Sequence, residues 1–196
     1  MTDFTHSTSG GFEGVYYEDA LPLAFHAAPA PEPARLAGLN ADNVQLLMAD
    51  ASLDESRVVS ADSKSSDDDS SVAEDLHRLE HKINVLIQLV ARLVAKDEQL
   101  PAPRAWRLYA SGVEWRHDDV LSEGTTGCVH LFVSRLLPQA LQLPGRVVSA
   151  RVDDSGATWA RFEFAGLSGS VIEGLERMIF RHHRRAVAGV RTLVRD

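Results

Sequence analysis

The chain has 196 residues, 44% of them hydrophobic and 24% charged, which suits one domain or one domain with an extended segment. A formal net charge of −8 disfavours nucleic acid as a partner, and no apolar run reaches the roughly eighteen residues needed to insert into a membrane. A single cysteine, Cys128, excludes an internal disulfide and a multi-cysteine zinc site; with the polar start Met1–His6 it points to the cytoplasm.

In chain order, residues 1–14 are Gly-, Ser- and Thr-rich and read as a disordered lead-in. Val15-Tyr16-Tyr17 and Leu21-Pro22-Leu23-Ala24-Phe25 predict a strand over 15–26. Pro29, Pro31 and Pro33 make 27–39 a Pro/Ala linker. A short helix is expected over 40–54, with Asn40 or Asp42 as N-cap and Val44, Leu46, Leu47 and Met48 as its apolar body. Acid collects at Asp54, Glu55, Asp62, Asp67, Asp68 and Asp69, so 55–71 reads as a solvated, Ser-rich connection.

Residues 72–100 carry the strongest pattern. Val72, Leu76, Leu79, Ile83, Leu86, Val90 and Leu93 recur at alternating spacings of four and three, placing Leu76, Ile83 and Val90 at heptad a and Val72, Leu79, Leu86 and Leu93 at d. No Gly or Pro interrupts the run before Pro101 ends it. The β-branched a positions with leucine at d favour a dimer, yet Ile87 and Val94 at e and Leu89 at g widen the apolar face. Burying each of these extra side chains is worth about 1.5–3 kcal/mol, so a four-helix assembly is favoured over a two-stranded one.

After Pro101 the period changes to two. Residues 106–109, 113–115, 129–133, 147–152 and 158–164 read as short strands, separated by turn signals at Ser111-Gly112, Gly124 to Gly127, Pro144-Gly145 and Asp153 to Gly156. From Val171 a helix is expected, with Ile172, Leu175, Met178 and Ile179 on its buried face. Residues 171–196 hold six Arg against Glu173, Glu176 and Asp196, read as arginines solvating one face of that helix. The fold class is α+β: a small antiparallel barrel with a C-terminal helix over 101–196, plus a long coiled-coil-type helix mediating oligomerisation.

Catalytic motifs are missing: there is no Walker loop, G-x-S-x-G elbow, H-E-x-x-H or EF-hand pattern. Cys128 and His130 fall two apart on a predicted strand, too few ligands for a metal, and adjacent His182 and His183 diverge on a helix. No cofactor, metal or catalytic residue is assigned.

From about Arg104 to Arg185 the chain resembles a PilZ domain, a small barrel known as a cyclic di-GMP receptor. The features that carry the likeness are, in order, Ser111-Gly112-Val113-Glu114-Trp115, the apolar strand 129–133, Leu143-Pro144-Gly145-Arg146-Val147-Val148, Ala160-Arg161-Phe162-Glu163-Phe164, and a helix ending in Arg184-Arg185. Ligand-binding members carry RxxxR, whose guanidiniums hold phosphates and stack on guanine, followed by [DN]-x-S-x-x-G. Set on Gly112, the second motif places Arg107 where Asp or Asn belongs and Tyr109 where Ser belongs; only the glycine remains. Arg104 and Arg107 have the wrong spacing for the first motif, and Arg181 and Arg185 have the right one on the wrong element.

The resemblance implies that 15–26 completes the barrel, and that the protein is a bacterial regulator linked to cyclic di-GMP signalling, motility or virulence. The expected function is a non-enzymatic scaffold. It self-assembles as a tetramer and docks an unidentified protein partner, with cyclic di-GMP binding disfavoured. The alternative is a cyclic di-GMP receptor that uses Arg104, Arg107 and Arg116.

Overall fold

A computed structural model of the chain describes residues 12, 14–62, 79, 82–83, 85–86, 89–90, 100–117, 121–134, 139–153 and 156–193, with side chains through residue 54 of the first helix and residue 186 of the last. The strands are β1 (Tyr17–Ala27), β2 (Pro103–Tyr109), β3 (Gly112–His117), β4 (Thr126–Leu131), β5 (Leu141–Val152) and β6 (Thr158–Phe164). They close a barrel in the order β1-β2-β3-β6-β5-β4, with every neighbouring pair antiparallel. Helices α1 (Pro33–Asp62) and α2 (Gly169–Leu193) pack against each other and against the barrel. The fold is an antiparallel barrel with a C-terminal helix.

Alternation builds the interior. Trp106 and Leu108, Val113 and Trp115, Val129 and Leu131, and Leu141 and Leu143 are pairs two apart on their strands, and all are buried. β1 closes the ring by serving two neighbours: Tyr17–Pro22 pair with β2 and Leu23–Ala27 with β4. Pro22 stands where the strand changes partners. It has no N–H to donate, while its carbonyl accepts from the Phe132 amide at 3.1 Å.

α1 begins earlier and runs further than the expected 40–54 helix, so 33–39 is helical rather than linker. Pro33 opens the helix, where its fixed φ and missing N–H are tolerated, and Leu36 N donates to Glu32 O at 2.9 Å. Asn40, expected as a cap, lies inside the helix and reaches across to the connection between β6 and α2. Its Nδ2 donates to Gly166 O at 3.0 Å, and its Oδ1 accepts from Ser168 N at 3.0 Å. One turn on, Asn43 makes the same reciprocal pair with the backbone of Gln142, at 2.8 and 2.9 Å. Both side chains satisfy tertiary backbone groups in place of the helix start. The backbone of 55–62, expected as connection, continues α1.

Pro144-Gly145, expected as a turn, lies within β5, where Gly145 pairs with Gly127 of β4 on one side and Phe164 of β6 on the other. A Cβ there would meet the Glu163 carbonyl and the Phe162 ring, so the glycine permits close strand approach. On α2 the buried face is Val171, Leu175, Met178 and Ile179, while Ile172 is exposed.

Candidate functional site

The three positions of the altered motif sit together on the outward face of β2 and the start of β3. Arg107 donates from Nε to Glu18 Oε2 at 2.8 Å, and its guanidinium lies 5.7 Å from the Tyr16 ring centroid and 5.1 Å from that of Trp159. Tyr109 is buried between aromatic neighbours, with Phe12 at 5.1 Å and Tyr16 at 5.6 Å. Burial, then the charge of Glu114, pushes its hydroxyl up to about 12. A Cβ on Gly112 would collide with the Phe12 ring and the Phe162 carbonyl.

Beside them Glu114 of β3 is only 2% exposed although it faces outward. Arg161 of β6 donates to its Oε1 at 2.7 Å, and Arg151 of β5 reaches Oε2 at 3.5 Å. The other face of the Arg161 guanidinium lies over Phe12 at 5.4 Å. Sequence reading did not single out Glu114; an acid flanked by Val113 and Trp115, paired in register with Arg161, was the available signal.

Of the alternative arginines, Arg107 and Arg116 share the outward face beside Trp159, while Arg104 lies on the other side of its strand. Arg104 and Arg107 are three apart on one strand and point to opposite faces, and Arg107 is committed to Glu18. Arg104 donates to the Arg116 carbonyl at 3.5 Å, while the Arg116 side chain is exposed.

A second polar cluster joins the helices. Arg181 Nη2 donates to Asp50 Oδ2 at 2.9 Å, and Arg185 Nη1 to Asp54 Oδ1 at 2.8 Å. Stepping four residues along both helices repeats the pairing, so α1 and α2 run parallel. Arg181 Nε and Asp54 Oδ2 stand 3.3 Å apart without hydrogen-bond alignment, which makes that contact coulombic. Burial pushes the Asp50 carboxyl up, and Arg181 only partly offsets it. His182 stacks on Tyr17 at 3.8 Å between ring centroids, and burial lowers its proton affinity. Arg181 and Arg185, expected to solvate a face, are therefore held by α1, where Asp54 is buried. Matching i, i+4 spacings, Asp50/Asp54 and Arg181/Arg185, were the sequence signal for this ladder.

Of the heptad positions, Leu79, Ile83, Leu86, Leu89 and Val90 have helical backbone and are between 47% and 60% exposed in the single chain. Val72, Leu76, Ile87, Leu93 and Val94 lie outside the described residues. Cys128 and His130 share the outward side of β4, where His130 meets His26 at 4.6 Å between ring centroids. Burial pushes the Cys128 thiol up to about 11 and lowers His130. Among the described residues no group of three or more His, Cys, Asp or Glu side chains is placed to hold a metal ion, and no helix is long and apolar enough to cross a membrane.

A family-model match over residues 47–192, which span β2 to β6 and most of α2, is to the atypical PilZ domain, described as a cyclic di-GMP receptor. The chain belongs to the atypical PilZ domain family. This PilZ chain is 26% identical to a pathogenic protein from Xanthomonas campestris, with a TM-score of 0.68 over 89% of this chain and 90% of that one. The crystal structure of that protein is described as a tetrameric PilZ domain self-assembled via an unusual helical bundle. A looser likeness, 18% identity and TM-score 0.35 over 45% of this chain and 79% of the other, is to the PilZ domain of YcgR from Escherichia coli with cyclic di-GMP. No curated protein sequence matches the chain.

Proposed function

We propose that this atypical PilZ protein is a non-enzymatic regulatory scaffold. It assembles as a homotetramer through the heptad helix of residues 72–100 and displays its barrels as docking surfaces for protein partners. The observation that carries this reading is the exposed apolar row Leu79, Ile83, Leu86, Leu89 and Val90, which one copy of the chain leaves in water. The tetrameric Xanthomonas relative, self-assembled through helices, supports it. The setting is bacterial cyclic di-GMP-linked motility or virulence signalling, in the cytoplasm.

The usual ligand site is absent on this reading. Arg107 and Tyr109 replace the acceptor and hydroxyl of the motif and are engaged within the chain. The family's description as a cyclic di-GMP receptor favours a second reading, in which Arg104, Arg107 and Arg116 bind the nucleotide. Titration calorimetry separates the two: the scaffold reading gives a flat trace, and the receptor reading gives saturable heat.

Assembly is tested with Ile83→Asp combined with Leu86→Asp, which places unpaired charges in the seam. The variant is expected to sediment as a single chain. An unchanged sedimentation coefficient contradicts the proposal.

A further inference from the structure

Every position of the altered motif is met by residues upstream of, or at the start of, β1. Gly112 takes the Phe12 ring, Tyr109 packs against Phe12 and Tyr16, and Arg107 is paired with Glu18 and covered by Tyr16. The neighbouring Arg161 gives its edge to Glu114 and its flat face to Phe12. An arginine recognises a planar anion in two ways, with N–H groups along its edge and by stacking on its face. On Arg161 both modes are engaged, the edge by Glu114 and a face by Phe12; Arg107 gives its Nε to Glu18 and lies over Tyr16 and Trp159, with its side chain 34% exposed.

We propose that the outward face of β2, β3 and β6 is a site occupied in cis: Phe12 and Tyr16 fill the place a planar anionic ligand would need and act as a built-in competitor for it. The inference deepens the reading that this face does not serve cyclic di-GMP, and adds the reason. Loss of the motif's polar groups is matched by a resident occupant made of the chain's own aromatic residues. The geometry fits such an exchange. Gly112 has no side chain, and the vacant volume beside it is what admits the Phe12 ring. Tyr109, in place of the smaller serine, supplies a flat wall 5.1 Å from the same ring. A partner that uses this face must first displace Phe12.

The test reads coverage of the arginines rather than nucleotide binding or mass, so its failure is distinct from failure of the scaffold reading. Full-length protein is treated with phenylglyoxal and the modified arginines are followed by peptide mass spectrometry. In the wild type, Arg107 and Arg161 are expected to react well behind exposed Arg116. In the Phe12→Ala/Tyr16→Ala variant both are expected to react several-fold faster, with Arg116 unchanged. An Arg161 rate identical in variant and wild type overturns the proposal. If the double variant does not fold, the milder Phe12→Leu variant decides by the same readout. Faster modification of Arg161 supports the occupant, and an unchanged rate overturns it.

Discussion

Glu114 faces outward from a strand and yet is nearly dry, because Arg161 approaches it from the adjacent β6 and Arg151 from β5 beyond it. Removing one member of such a cluster leaves the other charge uncompensated, and the cost depends on how well water can reach it. Arg161 is only 11% exposed, so Glu114→Ala is expected to lower stability by about 3 kcal/mol. Arg151 is 44% exposed, and Arg151→Ala is expected to cost below about 1 kcal/mol. Denaturant titration of both variants checks the ranking. Two half-buried histidines give the molecule a pH dependence with a definite sign. His130 and His182 hold a proton less readily folded than unfolded, chiefly through burial. The unfolded chain therefore takes up more protons as pH falls past about 6.5, and stability present above that value is lost below it. Asp50, shifted upward, acts in the opposite sense in the carboxylate range. Melting temperatures between pH 7.5 and 5.5 should fall, by less in His182→Gln than in the wild type; an equal fall contradicts the assignment to His182.

At the scale of elements, α1 and α2 are registered by charge as well as by Leu46, Leu47, Leu175 and Met178 in the common core. Asp54 meets two arginines, so Asp54→Ala is expected to cost about 1–3 kcal/mol. Arg185→Ala should cost less, its side chain being 44% exposed. Thermal melts of the pair test that order. The strands of the barrel were legible because inward residues alternate with outward ones, a period that survives in Trp106/Leu108 and Val113/Trp115. The start of α1 was not. Asn40 and Asn43 have the chemistry of caps, but their amides serve Gly166, Ser168 and Gln142, partners about a hundred or more residues away in sequence. Pro144-Gly145 has turn chemistry and occupies a strand, since β5 is squeezed between two neighbours there. The altered motif was readable at Arg107, Tyr109 and Gly112, whereas its occupant was not: nothing in local pattern links Phe12 to Gly112 across a hundred residues.

In the whole molecule, the closing strand of the barrel precedes the helical region in sequence and the other five strands follow it. Residues 28–102 thus lie between β1 and β2, two strands that pair along Tyr17–Pro22. β1 separates β2 from β4, so without it both would present open edges. On the proposed reading, this placement ties the barrel to the assembly at both ends of the inserted segment. On the proposed reading the heptad row drives assembly, because a lone chain leaves its apolar side chains in water. Multi-angle light scattering of the purified full-length protein tests it most directly. A molar mass of four times 21.5 kDa is the predicted result, and a mass of 21.5 kDa would contradict it.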